Sequence, residues 1–128
     1  MTGNRVFADT NIFIDLMKGD TAISQKLNSF SEVFLSPIVL SELYFGAYRS
    51  ANPTKHLAKI MIAFQKSKLL PMDAETAEIY VNIKLALFSS GNPIHENDIW
   101  IAASAIQHNL KLYSNDGHFR QINGLQLI

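Results

Sequence analysis

Short β-branched or aromatic runs alternate with helical stretches of ten or more residues along this chain, and that alternation leaves few folds open. Arg5–Ala8 is the first such run, ended by the polar turn Asp9-Thr10-Asn11. Asn11–Lys18 and Thr21–Phe30 have helical patterns separated by Gly19-Asp20, and Val33–Leu35 is a second strand. Ser36-Pro37 then starts a helix, serine as N-cap and proline in the first turn. Asn52-Pro53 repeats that signal for a helix through about Lys68, and Leu69–Met72 is strand-like. Asp73 can cap a long helix that ends near the breaker Ser89-Ser90-Gly91-Asn92-Pro93. Glu96–His108 is a further helix with Asn109 as a left-handed stop. Leu112–Ser114 and Leu125–Ile128 close the chain as strands.

Strands separated by helices imply right-handed crossovers and a parallel sheet covered on both faces. The expectation is therefore α/β: one three-layer α/β/α domain spanning residues 1–128, without internal repeat, low-complexity segment or linker. A chain of 128 residues buries roughly two thirds of its unfolded surface, and nearly half of its residues are apolar. A core therefore needs no staple, and the chain contains no cysteine from which to build one. That excludes disulfides, zinc thiolates and cysteine nucleophiles, and it suits the reducing cytoplasm. Residues 1–8 show no secretory pattern, and apolar runs such as Ile60–Phe64 are far too short to span a membrane. Basic and acidic residues balance at eleven each, which argues against a protein that coats nucleic acid by bulk charge. It leaves a nuclease open, because divalent ions can meet the phosphate there.

In open parallel sheets, ligands sit beyond the carboxyl ends of the strands. Asp9 immediately follows the first strand, and Asp116 follows the strand ending at Ser114. Glu42 lies about one and a half turns into the helix after the second strand. Asp98 lies in the first turn of a helix whose Ile99, Ala102, Ala103 and Ile106 can face the sheet. Topology thus brings four acids, distant in sequence, to one edge. Mg²⁺ and Mn²⁺ prefer carboxylate and water oxygens, and nothing in this set is soft. Without metal, clustered carboxylates repel and raise one another's pKa. Each acid alone has a plainer explanation: a turn at Asp9 or Asp116-Gly117, a solvated helix position at Glu42, a dipole-favoured first-turn position at Asp98.

Other groups carry less. His56, His95, His108 and His118 lack metal-ligand spacing. Lys55, Lys59 and Lys66 share a helix face and could approach phosphates, though such a face is more often simply solvated. The glycines are scattered and form no phosphate loop, so no nucleotide cofactor is expected.

Four blocks carry a resemblance. V-F-A-D-T-N-I-F-I-D-L at 6–16 resembles the opening of PIN domains, and S-E-L-Y-F-G at 41–46 resembles their E-L-x-x-G helix. G-N-P-I-H-E-N-D-I-W-I-A-A-S-A at 91–105 is similar to their third motif, and L-Y-S-N-D-G-H-F at 112–119 to their closing strand. The blocks come in the family's order, and the compact length looks most like the VapC toxins of toxin–antitoxin pairs. The resemblance implies a five-stranded parallel sheet and Mg²⁺- or Mn²⁺-dependent cleavage of RNA. It also implies inhibition by a cognate antitoxin, and homodimerisation. Matched by position, Asp9, Glu42, Asp98 and Asp116 take the acidic roles, with Asn11 and Ser114 in support; Glu96 is an extra acid that the pattern does not require.

Asp9, Asp98 and Asp116 are then the expected metal ligands, with Glu42 binding metal or orienting the attacking water. A haloacid-dehalogenase phosphatase would want a second aspartate where Asn11 stands, and a receiver domain's paired acids are missing. On the helix carrying Leu40, Leu43, Tyr44 and Tyr48, apolar residues exceed one buried stripe, so part of that face is expected to meet the antitoxin.

Overall fold

The computed structural model describes residues 4–128. Strands β1 (Arg5–Ala8), β2 (Glu32–Leu35), β3 (Lys68–Leu69) and β4 (Lys111–Tyr113) form one parallel sheet in the order β3-β2-β1-β4. Two helices connect each successive pair. They are α1 (Thr10–Met17) and α2 (Thr21–Asn28), then α3 (Pro37–Tyr48) and α4 (Pro53–Gln65), then α5 (Ala74–Ser90) and α6 (Glu96–Gln107). The first two connections step one way across the sheet and the third steps back over β1. Right-handed crossovers put the first four helices on one face and the last two on the other. Helix contacts agree, with α1 against α2, α3 and α4, and α5 against α6. The strand order therefore reverses between β1 and β4, and the crevice beyond their carboxyl ends is where such sheets bind ligands.

The start signals act as their chemistry requires. Ser36, Asn52 and Asp73 cap α3, α4 and α5 by accepting from the backbone amides of Val39, Lys55 and Thr76. Asn109 (φ 54°) takes the left-handed conformation that stops α6, and Gly91 (φ 72°) does so for α5. Val6, Phe7 and Ala8 are fully buried, as the central strand of a two-sided sheet demands. Helix α6 buries Ile99 and the whole run Ile101–Ala105, because it lies between the sheet and α5. Ala102 and Ala103 leave no accessible surface, so the small pair packs close to its neighbours as expected; Ile106 is only partly buried.

Several expectations need correction. The sheet has four strands, not five. Leu125–Ile128 contributes one parallel bridge, Leu112 to Leu127, with the Leu112 amide donating to Gln126 at 2.7 Å and the Ile128 amide to Leu112 at 2.9 Å. The Ser114 amide lies 3.5 Å from the Ile128 carbonyl, so the segment runs beside β4 to its end without making a full strand. Strand β3 is Lys68–Leu69 rather than 69–72, although Leu70 still donates to the Leu35 carbonyl at 2.8 Å. Helix α4 ends at Gln65, which frees Lys68 to pair with Glu32 at 2.5 Å across the β2–β3 edge. Residues 117–121 form a 3₁₀ helix that no sequence signal announced. The leader pattern judged on residues 1–8 falls partly on residues 1–3, outside the described residues. No described helix is long and apolar enough to cross a membrane.

Candidate active site

Asp9 is the best-fixed acid. Register aligns Ala8 with Tyr113, and the Asp9 amide donates to the Tyr113 carbonyl at 3.0 Å, so Asp9 lies level with Ser114. Its side chain also caps α1, which begins at Thr10 rather than Asn11: Oδ1 accepts from the Thr10 amide at 2.8 Å. Oδ2 accepts from the Ser114 hydroxyl at 2.7 Å and from the Asn11 side-chain amide at 3.1 Å. Ser114 Oγ accepts in turn from the Asp116 amide at 3.0 Å, and Asn11 Oδ1 from the Asn115 amide at 3.2 Å. Asn11 and Ser114 therefore orient the first acid and bind the loop carrying the fourth. Asp116 then caps the 3₁₀ helix through His118, whose Nδ1 lies 2.9 Å from Asp116 Oδ1. Phe119, almost fully buried, anchors that helix in the core.

Glu42 reaches the edge because Val39, Leu43 and Ala47 hold one side of α3 in the core. Its Oε1 accepts from the Thr10 hydroxyl at 2.6 Å, and its Oε2 lies 3.5 Å from the Asn97 side-chain amide. Sequence reasoning passed over both partners. The signal was present, since each is a hydrogen-bonding residue directly beside an acid, but its target lies on another helix.

The electrostatics tie the four acids together. Burial is the main reason that the Asp9 carboxyl sits above the ordinary range. Glu42 and Asp116 add to the rise, against the hydrogen bonds from Ser114 and Thr10. Asp98 is pushed up to about 6, first by burial and then by the charges of Asp9, Asp116 and Glu42. A first-turn carboxylate should find its charge favoured by the helix dipole. Here burial and three like charges act against that preference.

Glu96 points elsewhere. Its Oε1 accepts from Lys84 at 2.5 Å and from the Tyr80 hydroxyl at 2.9 Å, and Lys84 holds its carboxyl below the usual range. It ties the start of α6 to α5 and stands outside the cluster. Tyr80 also stacks on Trp100, with ring centroids 3.9 Å apart, so the same two helices are joined twice. Among the described residues, no three His, Asp or Glu side chains already close around one point. The donor set is nevertheless all oxygen, and its mutual repulsion calls for a cation. Mg²⁺ commonly keeps several waters and takes only one or two carboxylates directly. An open carboxylate rim therefore fits a partly hydrated hard cation better than a closed cage would.

Comparison with known proteins agrees with this arrangement. The family model described as PIN domain matches residues 6–125. Ribonuclease VapC1 of Rickettsia felis is 33% identical over 124 residues, covering 94% of this chain and 92% of that one. The tRNA(fMet)-specific endonuclease VapC of Shigella flexneri is 30% identical over 121 residues, 92% of each. Among solved structures, VapBC2 from Rickettsia felis bound to a promoter DNA fragment gives a TM-score of 0.93 at 26% identity, over 97% of each chain. VapBC-1 from nontypeable Haemophilus influenzae gives 0.88 at 28% identity, over 97% of this chain and 96% of that one. From its four-stranded parallel core to the order of its motifs, the chain belongs to the PIN-domain family.

Proposed function

We propose that this protein is a metal-dependent endoribonuclease, the toxin of a toxin–antitoxin pair, with Asp9, Asp98, Asp116 and Glu42 holding Mg²⁺ or Mn²⁺. The observation that carries the proposal is the mutual influence of four carboxylates from four separate segments at the switch-point edge of the sheet. Similarity to ribonucleases and a tRNA endonuclease supports RNA as substrate, and similarity to VapBC complexes supports an antitoxin partner. Exposed Phe45 and Tyr48 on α3, and Leu85 and Phe88 on α5, offer apolar surface to an antitoxin or to a second copy of the chain. Of the α3 residues singled out from sequence, Leu43 is buried and Tyr44 half-exposed. A cytoplasmic location belongs to the same reading and rests on the absence of cysteine.

A bound Mg²⁺ or Mn²⁺ supplies Lewis acidity at the phosphodiester and lowers the pKa of coordinated water. The chain's own part is orientation. Ser114, Asn11 and the Thr10 amide hold Asp9 in one rotamer. Thr10 occupies Glu42 Oε1 by a short hydrogen bond, which leaves Oε2, with only the long Asn97 contact, as the oxygen free to bind the metal or to orient the attacking water. Purified protein should cleave RNA with Mn²⁺ and stop in EDTA, and Asp9→Asn should lower kcat by orders of magnitude with an unchanged fold. Undiminished cleavage in chelator would overturn the proposal.

A further inference from the structure

The neutral polar side chains around the acid cluster are almost all committed to the protein itself. The Thr10 hydroxyl has one proton and gives it to Glu42 Oε1 at 2.6 Å. The Ser114 hydroxyl gives its one proton to Asp9 Oδ2 at 2.7 Å and accepts from the Asp116 amide. Asn11 spends its side-chain amide on Asp9 Oδ2 and Ser114 Oγ, and its carbonyl on the Asn115 amide. Asn115 is exposed, and its side chain donates to Asp15 on α1 at 3.2 Å. Asn97 is the exception. It stands partly buried in the first turn of α6, directly before Asp98, with its side-chain amide 3.5 Å from Glu42 Oε2. That separation exceeds the length of an ordinary N–H···O hydrogen bond, about 2.7–3.2 Å. Among the described residues, nothing donates to Asn97 Oδ1. The backbone beneath it is fixed all the same. The His95 ring accepts from the Asn97 amide at 3.4 Å, and the buried run from Ile101 to Ala105 anchors the helix. Glu96, one position earlier, is turned onto α5 by Lys84 and Tyr80, which leaves Asn97 as the neutral group of this turn beside Glu42.

Building on the nuclease reading, we infer that Asn97 is the residue that recognises ribose, by hydrogen bonding the 2′-hydroxyl of the nucleotide on the 5′ side of the cleaved phosphate. That sugar carries its 2′-hydroxyl on the carbon next to the 3′-oxygen, so a phosphate held at the acids brings the hydroxyl to their rim. The 2′-hydroxyl both donates and accepts, and it is the group that separates RNA from DNA. Ionised carboxylates only accept, and in this cluster their oxygens are wanted by metal. The hydroxyls of Thr10 and Ser114 have no proton left to give. A primary amide offers both functions on one planar group: Oδ1 accepts from the sugar hydroxyl and Nδ2 donates to it. The long contact to Glu42 is a weak one to give up for a bond of ordinary length. The hydroxyl is bound and not transformed, so the attack of water on the phosphodiester is unaltered.

The test compares kcat/KM in Mn²⁺ on two oligoribonucleotides that share one mapped cleavage position. One is RNA throughout, and the other carries a single 2′-deoxynucleotide on the 5′ side of the cut. Wild type should prefer the all-RNA strand about tenfold, the worth of one good hydrogen bond. Asn97→Ala should cut the RNA more slowly by about that factor and should cut the two strands equally. Both strands meet the same sample, so partial unfolding of a variant cancels in the ratio. Binding of the two strands to Asp9→Asn, with and without Asn97→Ala, reads the same ratio where turnover is lost. Asn115→Ala should keep the wild-type preference. A wild type without preference, or a preference undiminished in Asn97→Ala, would overturn the role of Asn97. So would a deoxy strand that wild type binds as well as RNA yet cannot cut, since the hydroxyl would then act in the chemistry. In each of those cases cleavage of RNA by wild type leaves the nuclease reading standing. Absence of Mn²⁺-dependent RNA cleavage by wild type would instead overturn the nuclease reading.

Discussion

Replacing Asp98 by asparagine should stabilise the metal-free protein at neutral pH and reverse that order when Mn²⁺ is added. The unfolded carboxyl titrates near 3.8 and the folded one near 6, so ionising Asp98 opposes folding. A difference of that size is worth roughly 3 kcal/mol at full effect. Asp98 is only partly buried, so solvent screening reduces the figure to about 1.5 kcal/mol. Losing a first-turn charge at a helix N-terminus takes back about 0.5 kcal/mol. The net gain of about 1 kcal/mol is about 4 °C in Tm for a chain of this size. The sign follows from linkage: a raised acid gives its full stability below the unfolded pKa and loses it as pH rises through the folded value. The advantage of Asp98→Asn should therefore grow between pH 3.8 and about 6 and be absent at the acid end. Metal at about 100 times Kd stabilises wild type by about 2.7 kcal/mol, and the variant by much less. Differential scanning fluorimetry of both proteins, in EDTA and in Mn²⁺, at pH 4 and pH 7, reads every term. If Asp98→Asn melts lower in EDTA at pH 7 and both proteins respond equally to Mn²⁺, the reasoning is refuted and Asp98 is an ordinary helix-start residue.

Thr10→Val should lower kcat about tenfold or more, with KM little changed, because losing a hydrogen bond to a charged group is worth about 1.5–3 kcal/mol. Thr10→Ser should restore the rate, and equal rates for Val and Ser would remove Thr10 from the orientation of Glu42. Ser114→Ala deletes the donor that holds the Asp9 carboxylate below the value burial alone would set, so the acid limb of the cleavage pH profile should move up. An unmoved limb would count against Ser114 acting through Asp9. Phe119→Ala should cost about 3–5 kcal/mol in urea unfolding, since it empties a core site under the loop of Asp116; a loss below about 1 kcal/mol would mean that the 3₁₀ helix is not anchored there. Expression of the chain without an antitoxin should arrest host growth and Asp9→Asn should not, as growth curves would record; harmless growth with both would count against the toxin role.

The alternation of strand and helix, and the start signals at Ser36, Asn52 and Asp73, were legible because they depend on neighbours in sequence. The four acids were legible as strand-end and first-turn residues once a parallel sheet was inferred. What the sequence hid depends on partners far along the chain. Thr10 looked like a turn residue until α3 brought Glu42 within 2.6 Å. Glu96 stood beside Asp98 in the sequence, but Lys84 and Tyr80 on α5 turn it away.

The pairing of β1 with β4 also has a consequence for the timing of synthesis. Asp9 leaves the ribosome early, yet its carboxylate is held by Ser114, and the amide that Ser114 Oγ steadies belongs to Asp116. A nascent chain cannot close that ladder until more than a hundred residues separating the two strands have been translated. Long-range pairing of this kind forms late because its loop must be closed first. The centre that cuts RNA is therefore assembled only after nearly the whole chain has left the machine that reads RNA.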